Sequence, residues 1–316
     1  MTKYILRRLL IIIPTLIGVS IILFTLMHLA PGGPEAVLMG DDISAEAAAR
    51  IRANLGLDRP VPVQYFHWLT NLLQGDLGNS FRTGEAVISL LGYRLINTLT
   101  LTVAAFLFSL VVAIPFGIIS ATRQYSLMDK ISTVVAFLGI SFPSFWLGIV
   151  LILIFAYQLG LFPVSGIASY GMEGDLFNRL HHLVLPAVTL GAVQMATYMR
   201  FTRSGMLEVL KQDYIRTARA KGLSFRQVIY KHALRNGLIS VVTVIGISLP
   251  ALVGGAVLTE TIFAWPGLGR MAVNAVFQRD YPIIMGVNMI VAVVTVFANL
   301  GVDIIYTFID PRIAYD

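Results

Sequence analysis

The stretch Asn97 to Ala121, NTLTLTVAAFLFSLVVAIPFGIISA, runs 25 residues without one charged side chain. As an α-helix it would reach about 37 Å, more than the roughly 30 Å of hydrocarbon in a bilayer. Five further stretches are long and apolar enough to cross, at 9–30, 131–157, 183–202, 237–259 and 283–309. The sequence therefore predicts an all-α membrane protein with six transmembrane helices. Composition points the same way. Apolar residues make up 57% of the 316 residues, charged residues 13%, and the mean hydropathy is +0.79. A soluble fold of that size needs more charge to cover its surface.

The first span follows Lys3, Arg7 and Arg8, as a secretory signal would. Its apolar run from Leu9 to Ala30 exceeds a signal's core, and no clean A-x-A site follows, so an uncleaved anchor fits better. Lys and Arg distribution sets the orientation. With the N-terminus inside, fifteen of the 23 basic residues fall in cytoplasmic segments and eight outside. Five of those eight lie in one long loop, where the charge rule is weak. Both termini are thus expected in the cytoplasm. The net charge of +6 comes from residues flanking hydrophobic spans, which speaks for membrane lipid and not for nucleic acid.

Three parts follow: residues 1–30 as cytoplasmic N-terminus and first helix, 31–96 as an extracytoplasmic loop with short helices, and 97–316 as a five-helix core. The loop opens on Pro31-Gly32-Gly33-Pro34, a turn that ends the first helix. Helices are expected from Ser44 to Asn54, with Gly56 past the end, and from Val63 to Leu73 with Tyr65, Phe66, Trp68 and Leu69. Two readings fit this cap: packing on the bundle, or docking an extracytoplasmic partner.

The core carries a cytoplasmic segment at 203–236. Residues 211–221 are helix-compatible and basic, and Gly222 interrupts them. Ser224-Phe225-Arg226-Gln227 fits a capping box that starts a second helical run. There Phe225, Val228, Ile229, His232 and Ala233 share one face.

Enzyme chemistry finds little support. No cysteine is present, which excludes disulfides and thiolate chemistry. No GxxxxGK[ST] or GxGxxG motif occurs, so no phosphate loop belongs to this chain. His181-His182 has no third ligand in sequence; interfacial polar residues and a metal pair are the two readings. Glu260 and Asp303 are the acids nearest the membrane, with structural roles weighed against functional ones. Polar residues within spans could line a path or join helices: Asn97 and Thr98, Ser141 and Ser144, Gln194 and Thr197, Ser248, and Asn288.

Asp213-Tyr214-Ile215-Arg216-Thr217-Ala218-Arg219-Ala220-Lys221-Gly222-Leu223 closely resembles the cytoplasmic "EAA" loop of permease subunits in binding-protein-dependent ABC importers. Arg216-Thr217-Ala218 stands where the general pattern has E-A-A. That departure, with His232-Ala233-Leu234-Arg235-Asn236, resembles the dipeptide/oligopeptide/nickel branch. Leu55 to Pro60, Gly75-Asp76-Leu77-Gly78, Glu260 to Gly269 and Asp310-Pro311-Arg312 look like further signatures of its B-type subunit. The resemblance covers essentially the whole chain.

It implies a type I ABC importer-like permease in the bacterial inner membrane. Its expected partners are a second homologous permease, two P-loop ATPase subunits and an extracytoplasmic substrate-binding protein. The chain itself would bind no cofactor, with ATP and magnesium held by the ATPase partners. Peptides are the expected cargo; nickel, glutathione and oligosaccharides are the alternatives within the branch. An ion-gradient transporter and a non-transporting scaffold are the alternatives outside it. The resemblance makes Asp213, Tyr214, Ile215, Thr217, Ala218, Gly222 and Leu223 the residues that couple to an ATPase subunit.

Overall fold

The computed structural model describes residues 2–29, 46, 53 and 56–309. Within them the chain is helical, with one isolated bridge between Asn79 and Ala86. The helices are α1 (Thr2–Leu29), α2 (Val61–Leu73), α3 (Val87–Thr122), α4 (Leu127–Ser141), α5 (Ser144–Leu151), α6 (Leu176–Val209) and α7 (Asp213–Ala220). Then come α8 (225–237), α9 (Ile239–Ile262), α10 (Leu268–Gln278) and α11 (Tyr281–Ile309). The expected helix at 44–54 lies outside the described residues, Glu46 and Ala53 apart, as do the turn at 31–34 and the Asp310-Pro311-Arg312 signature.

Four helical stretches are long and apolar enough to span a membrane: Leu6–Leu29, Val87–Thr122, Leu176–Val209 and Tyr281–Ile304. They match four of the six expected spans. The expected continuous span at 131–157 is instead two helices, α4 and α5, bent by 111°. The cause is local. A residue before proline is driven out of the α region by the ring. Phe142, before Pro143, is extended at φ −88° and ψ 135°, and α4 stops there. Beyond α5 the chain continues as a π-helix over Ile152–Gln158. The expected span at 237–259 corresponds to α9; the side chains of residues 249–253, Pro250 among them, lie outside the described set.

The chain divides into two compact units. The first comprises residues 1–98 and 266–300. Its core is built from Val87 and Leu91 of α3, Leu268, Met271 and Ala275 of α10, and Ile283 and Val287 of α11. In the same unit α2 lies against α1 through rings. Phe24 meets Tyr65 edge-on at 5.4 Å and Trp68 at 5.8 Å. Ser20 and Tyr65 share a hydroxyl hydrogen bond of 2.8 Å. Aromatic bodies with polar tips suit such a joint, where one end is apolar and the other must find a partner.

The second unit comprises residues 99–265 and 301–316. Here α6 is the central element: Leu183, Ala187 and Leu190 pack with Leu101, Ala105 and Trp265, while Met195, Tyr198 and Met199 pack with Ala113, Ala136 and Val241. Small residues let the backbones close up. A methyl added at Gly205 of α6 would collide with the carbonyl oxygen of Gly237 at the end of α8. This close approach ties the basic segment that holds α7 and α8 to a long apolar helix, and close approach by small residues is how helices associate when lipid offers no hydrophobic drive.

Candidate coupling surface

Helix α7 is eight residues long, too short to hold itself in water. Two features keep it folded. Ile215 is fully buried and Ala218 nearly so, and both join a cluster with Ile118 and Ala121 of α3, Met206 of α6, and Val228, Ile229 and Ala233 of α8. Burying an isoleucine is worth about 1.5–3 kcal/mol. The second feature is the helix end. The Gly222 amide donates to the Arg219 carbonyl at 3.0 Å, and the Leu223 amide to that of Ala218 at 3.4 Å. This pair of bonds is a Schellman motif, completed by Leu223 packing beside the same cluster as Ala218. Gly222 supplies the left-handed turn at φ +75°.

The next helix begins one residue later. Ser224 accepts from the Gln227 amide, and the Gln227 side chain accepts from the Ser224 amide, so the expected capping box forms. The following face is only partly as expected. Val228, Ile229 and Ala233 are buried and His232 is half-buried, but Phe225 is 63% exposed. Residues Val228–Ala233 wind as a π-helix, with bonds running i to i+5 and less rotation per residue.

The seven residues singled out from sequence therefore come together but divide by direction. Ile215, Ala218 and Leu223 turn inward and seat the helix. Tyr214, Thr217 and Gly222 are exposed, as is Asp213, which pairs with Arg216 at 3.2 Å on the surface. Tyr214 also accepts a hydrogen bond of 2.8 Å from the Asn236 amide, linking α7 to the end of α8. What results is a short helix with a fixed inner face and an exposed outer face carrying Arg216 and Arg219, with Lys221 just past its end.

A polar cluster braces the helices beneath it. Asp129, 5% exposed near the start of α4, accepts from Ser120 of α3, from the Tyr125 amide at 2.9 Å, and from Arg203 of α6 at 3.0 and 3.2 Å. Three helices meet on one carboxylate. The sequence reading passed over this group; its trace is Ser126-x-x-Asp129, where Ser126 caps α4 by accepting from the Asp129 amide.

The pathway candidates lie in both units. In the first, Asn97 is buried and donates to the Pro266 carbonyl at 2.9 Å, and Thr98 accepts from the Leu268 amide at 2.8 Å. Asn288 donates to its own helix at Ile284. In the second unit, Ser141 and Ser144 flank the α4–α5 break, Ser141 exposed and Ser144 half-buried. Gln194 is half-buried, Thr197 bonds back to Val193, and Ser248 shares a 2.7 Å hydrogen bond with Tyr198. His181 and His182 diverge: His181 reaches the Leu161 carbonyl at 2.7 Å and His182 the Ser169 hydroxyl at 3.3 Å.

This architecture has relatives. Residues 113–315 match the family of the binding-protein-dependent transport system inner membrane component, and residues 1–104 match the N-terminal region of such membrane components. The chain belongs to this family. The permease is 46% identical over 316 residues to the oligopeptide transport system permease protein AppB of Bacillus subtilis, covering all of both chains. It is 41% identical over 337 residues to the dipeptide transport system permease protein DppB of Escherichia coli, covering 100% of this chain and 99% of that one. Among solved structures, the MetNI methionine ABC transporter in inward facing conformations matches 68% of the permease and 93% of that chain, with a TM-score of 0.53 at 21% identity. That likeness shows a shared fold. The permease is accordingly a multi-pass inner-membrane protein of a binding-protein-dependent importer.

Proposed function

We propose that this permease moves short peptides inward across the membrane, with ATP hydrolysed on partner chains and α7 as the element that couples the two. The observation that carries the coupling role is the two-sided character of α7. Its inner residues, Ile215 and Ala218, are locked into a cluster shared by α3, α6 and α8, while its outer residues are exposed. A short rigid helix fixed to several long ones passes on a push without bending, as rigid-body switching requires. The peptide cargo is supported by full-length relatives named for oligopeptide and dipeptide transport.

In this reading the spans number six. The α4–α5 pair makes one broken span, and α9, at 24 residues, makes another of about 36 Å. Both termini and the α7–α8 segment face the cytoplasm, following the basic residues. A second permease, two ATPase subunits and a binding protein complete the assembly, and the pathway candidates from Asn97 to Asn288 line or support the route.

Uptake of a labelled dipeptide by vesicles holding the whole assembly tests the proposal. Uptake should need ATP inside and survive collapse of the proton gradient. Uptake driven by a proton gradient without ATP would contradict it.

A further inference from the structure

The second unit holds a cavity of about 420 Å³ that the coupling role does not use. It is lined by α3, α4 and α6 where α3 ends and α4 begins. Its lining is mixed: Phe137 and Leu207 are apolar, and Ser132, Arg200, Arg203 and Ser204 are polar. Arg203 is already committed to Asp129. Arg200, one turn earlier on α6, is exposed and has no acid within ion-pair distance among the described residues. Ser132, only 2% exposed, is among the residues lining this cavity, and its Oγ has no hydrogen-bond partner. A buried hydroxyl left unpaired costs about 1–3 kcal/mol, so the site lacks an acceptor.

In the proposed topology the cavity sits where helices leave the membrane. Ser120 is two residues from the end of α3, and Asp129 is two residues past the start of α4. A free cation, a hydroxyl donor and apolar side chains together at that level match one chemistry: an anionic head group with an acyl chain attached. Basic pockets between helices at a membrane surface bind such lipids. We propose that this cavity binds one anionic phospholipid, its phosphate at Arg200 and Ser132 and its chain along Phe137 and Leu207. The lipid would lie beside the Asp129–Arg203 brace, on the helix that leads into α7. The site depends on the membrane setting alone and not on which substrate the transporter carries.

Native mass spectrometry of the whole transporter in detergent tests this, with phosphatidylglycerol, phosphatidylcholine and inorganic phosphate as probes. Phosphatidylglycerol should stay on the permease, and phosphatidylcholine should bind more weakly. Arg200→Gln should weaken phosphatidylglycerol binding about fivefold, the effect of removing one basic residue at an anionic surface. Ser132→Ala should weaken it also. Lys130→Gln, which removes an exposed charge outside the cavity, should leave it unchanged. Equal loss from Lys130→Gln would mean diffuse charge and overturn the site. Displacement by inorganic phosphate at equal concentration would assign the site to free anions, and would overturn it too. So would the absence of any retained lipid, which is expected if another subunit covers this face.

Discussion

Each unit of the permease closes a turn with a buried aspartate, but the two are held differently. In the first unit Asp280 is fully buried and accepts from the Ser80 hydroxyl at 2.5 Å and the Phe81 amide at 3.2 Å, joining segments 200 residues apart. In the second, Asp129 has the same kinds of donor, a serine hydroxyl and a backbone amide, and adds Arg203. Each turn also contains a non-glycine residue at positive φ: Arg279 at 55° beside Asp280, and Tyr125 at 62°, whose amide reaches Asp129. A serine and an amide therefore suffice to bury an acid in one place. The arginine in the other is an addition that brings a third helix, α6, onto the carboxylate. That helix is the one that runs on toward α7, so the added pair makes mechanical sense as a brace for coupling.

The comparison can be broken by substitution. The largest effect is expected from Asp280→Ala, which leaves Ser80 and the Phe81 amide buried without an acceptor. Each orphaned group costs about 1–3 kcal/mol, so the thermal midpoint in detergent should fall sharply. Ile215→Ala should follow, losing about 2–5 kcal/mol locally as the cavity it leaves cannot fill. Its signature is early proteolysis near α7 with the long helices intact. Arg203→Met comes next. It converts Asp129 into a group held as Asp280 is, by hydroxyl and amide alone. Breaking a buried pair costs about 3–5 kcal/mol, but Arg203 is 35% exposed, so a loss of about 1–3 kcal/mol is expected. A loss as large as that from Asp280→Ala would mean the arginine is essential to burying Asp129. The smallest effect is Arg279→Gly. It relieves left-handed strain of about 1–2 kcal/mol against a backbone entropy cost of about 0.5–1, for a slight rise in midpoint.

Much of this structure was legible in the sequence, for identifiable reasons. Long apolar runs without charge can only be read one way, so four spans and the helical class followed directly. The turn chemistry at Gly222 and Ser224 is local, and both the helix stop and the capping box formed where the residues indicated. The break at Phe142–Pro143 was harder. A proline inside an apolar run kinks or ends a helix, and hydropathy alone cannot distinguish those outcomes. The direction of the coupling residues was hidden as well. Asp213 to Leu223 shows which residues belong to α7, but the inner face depends on α3, α6 and α8. Ala218 illustrates this: the resemblance placed it among the residues that meet a partner, whereas in the fold it faces inward from α7 onto the neighbouring helices. Phe225 was expected on the buried face by its spacing, but it sits in the first turn of α8 and is exposed. Asp129, Asp280 and Arg203 left almost no trace, since their side-chain partners lie nine to 200 residues away.

The central claim is that the exposed face of α7 meets an ATPase subunit while the buried face only seats the helix. Thr217 is exposed, so Thr217→Trp adds bulk outside without disturbing Ile215 or Ala218. The decisive measurement is ATP-driven dipeptide uptake by the reconstituted assembly carrying Thr217→Trp, with the permease's thermal midpoint measured alongside. The account predicts an unchanged midpoint and uptake lower by about tenfold or more, a loss of about 1.4 kcal/mol or greater at the contact. An unchanged midpoint with full uptake and full retention of the ATPase subunits would contradict it.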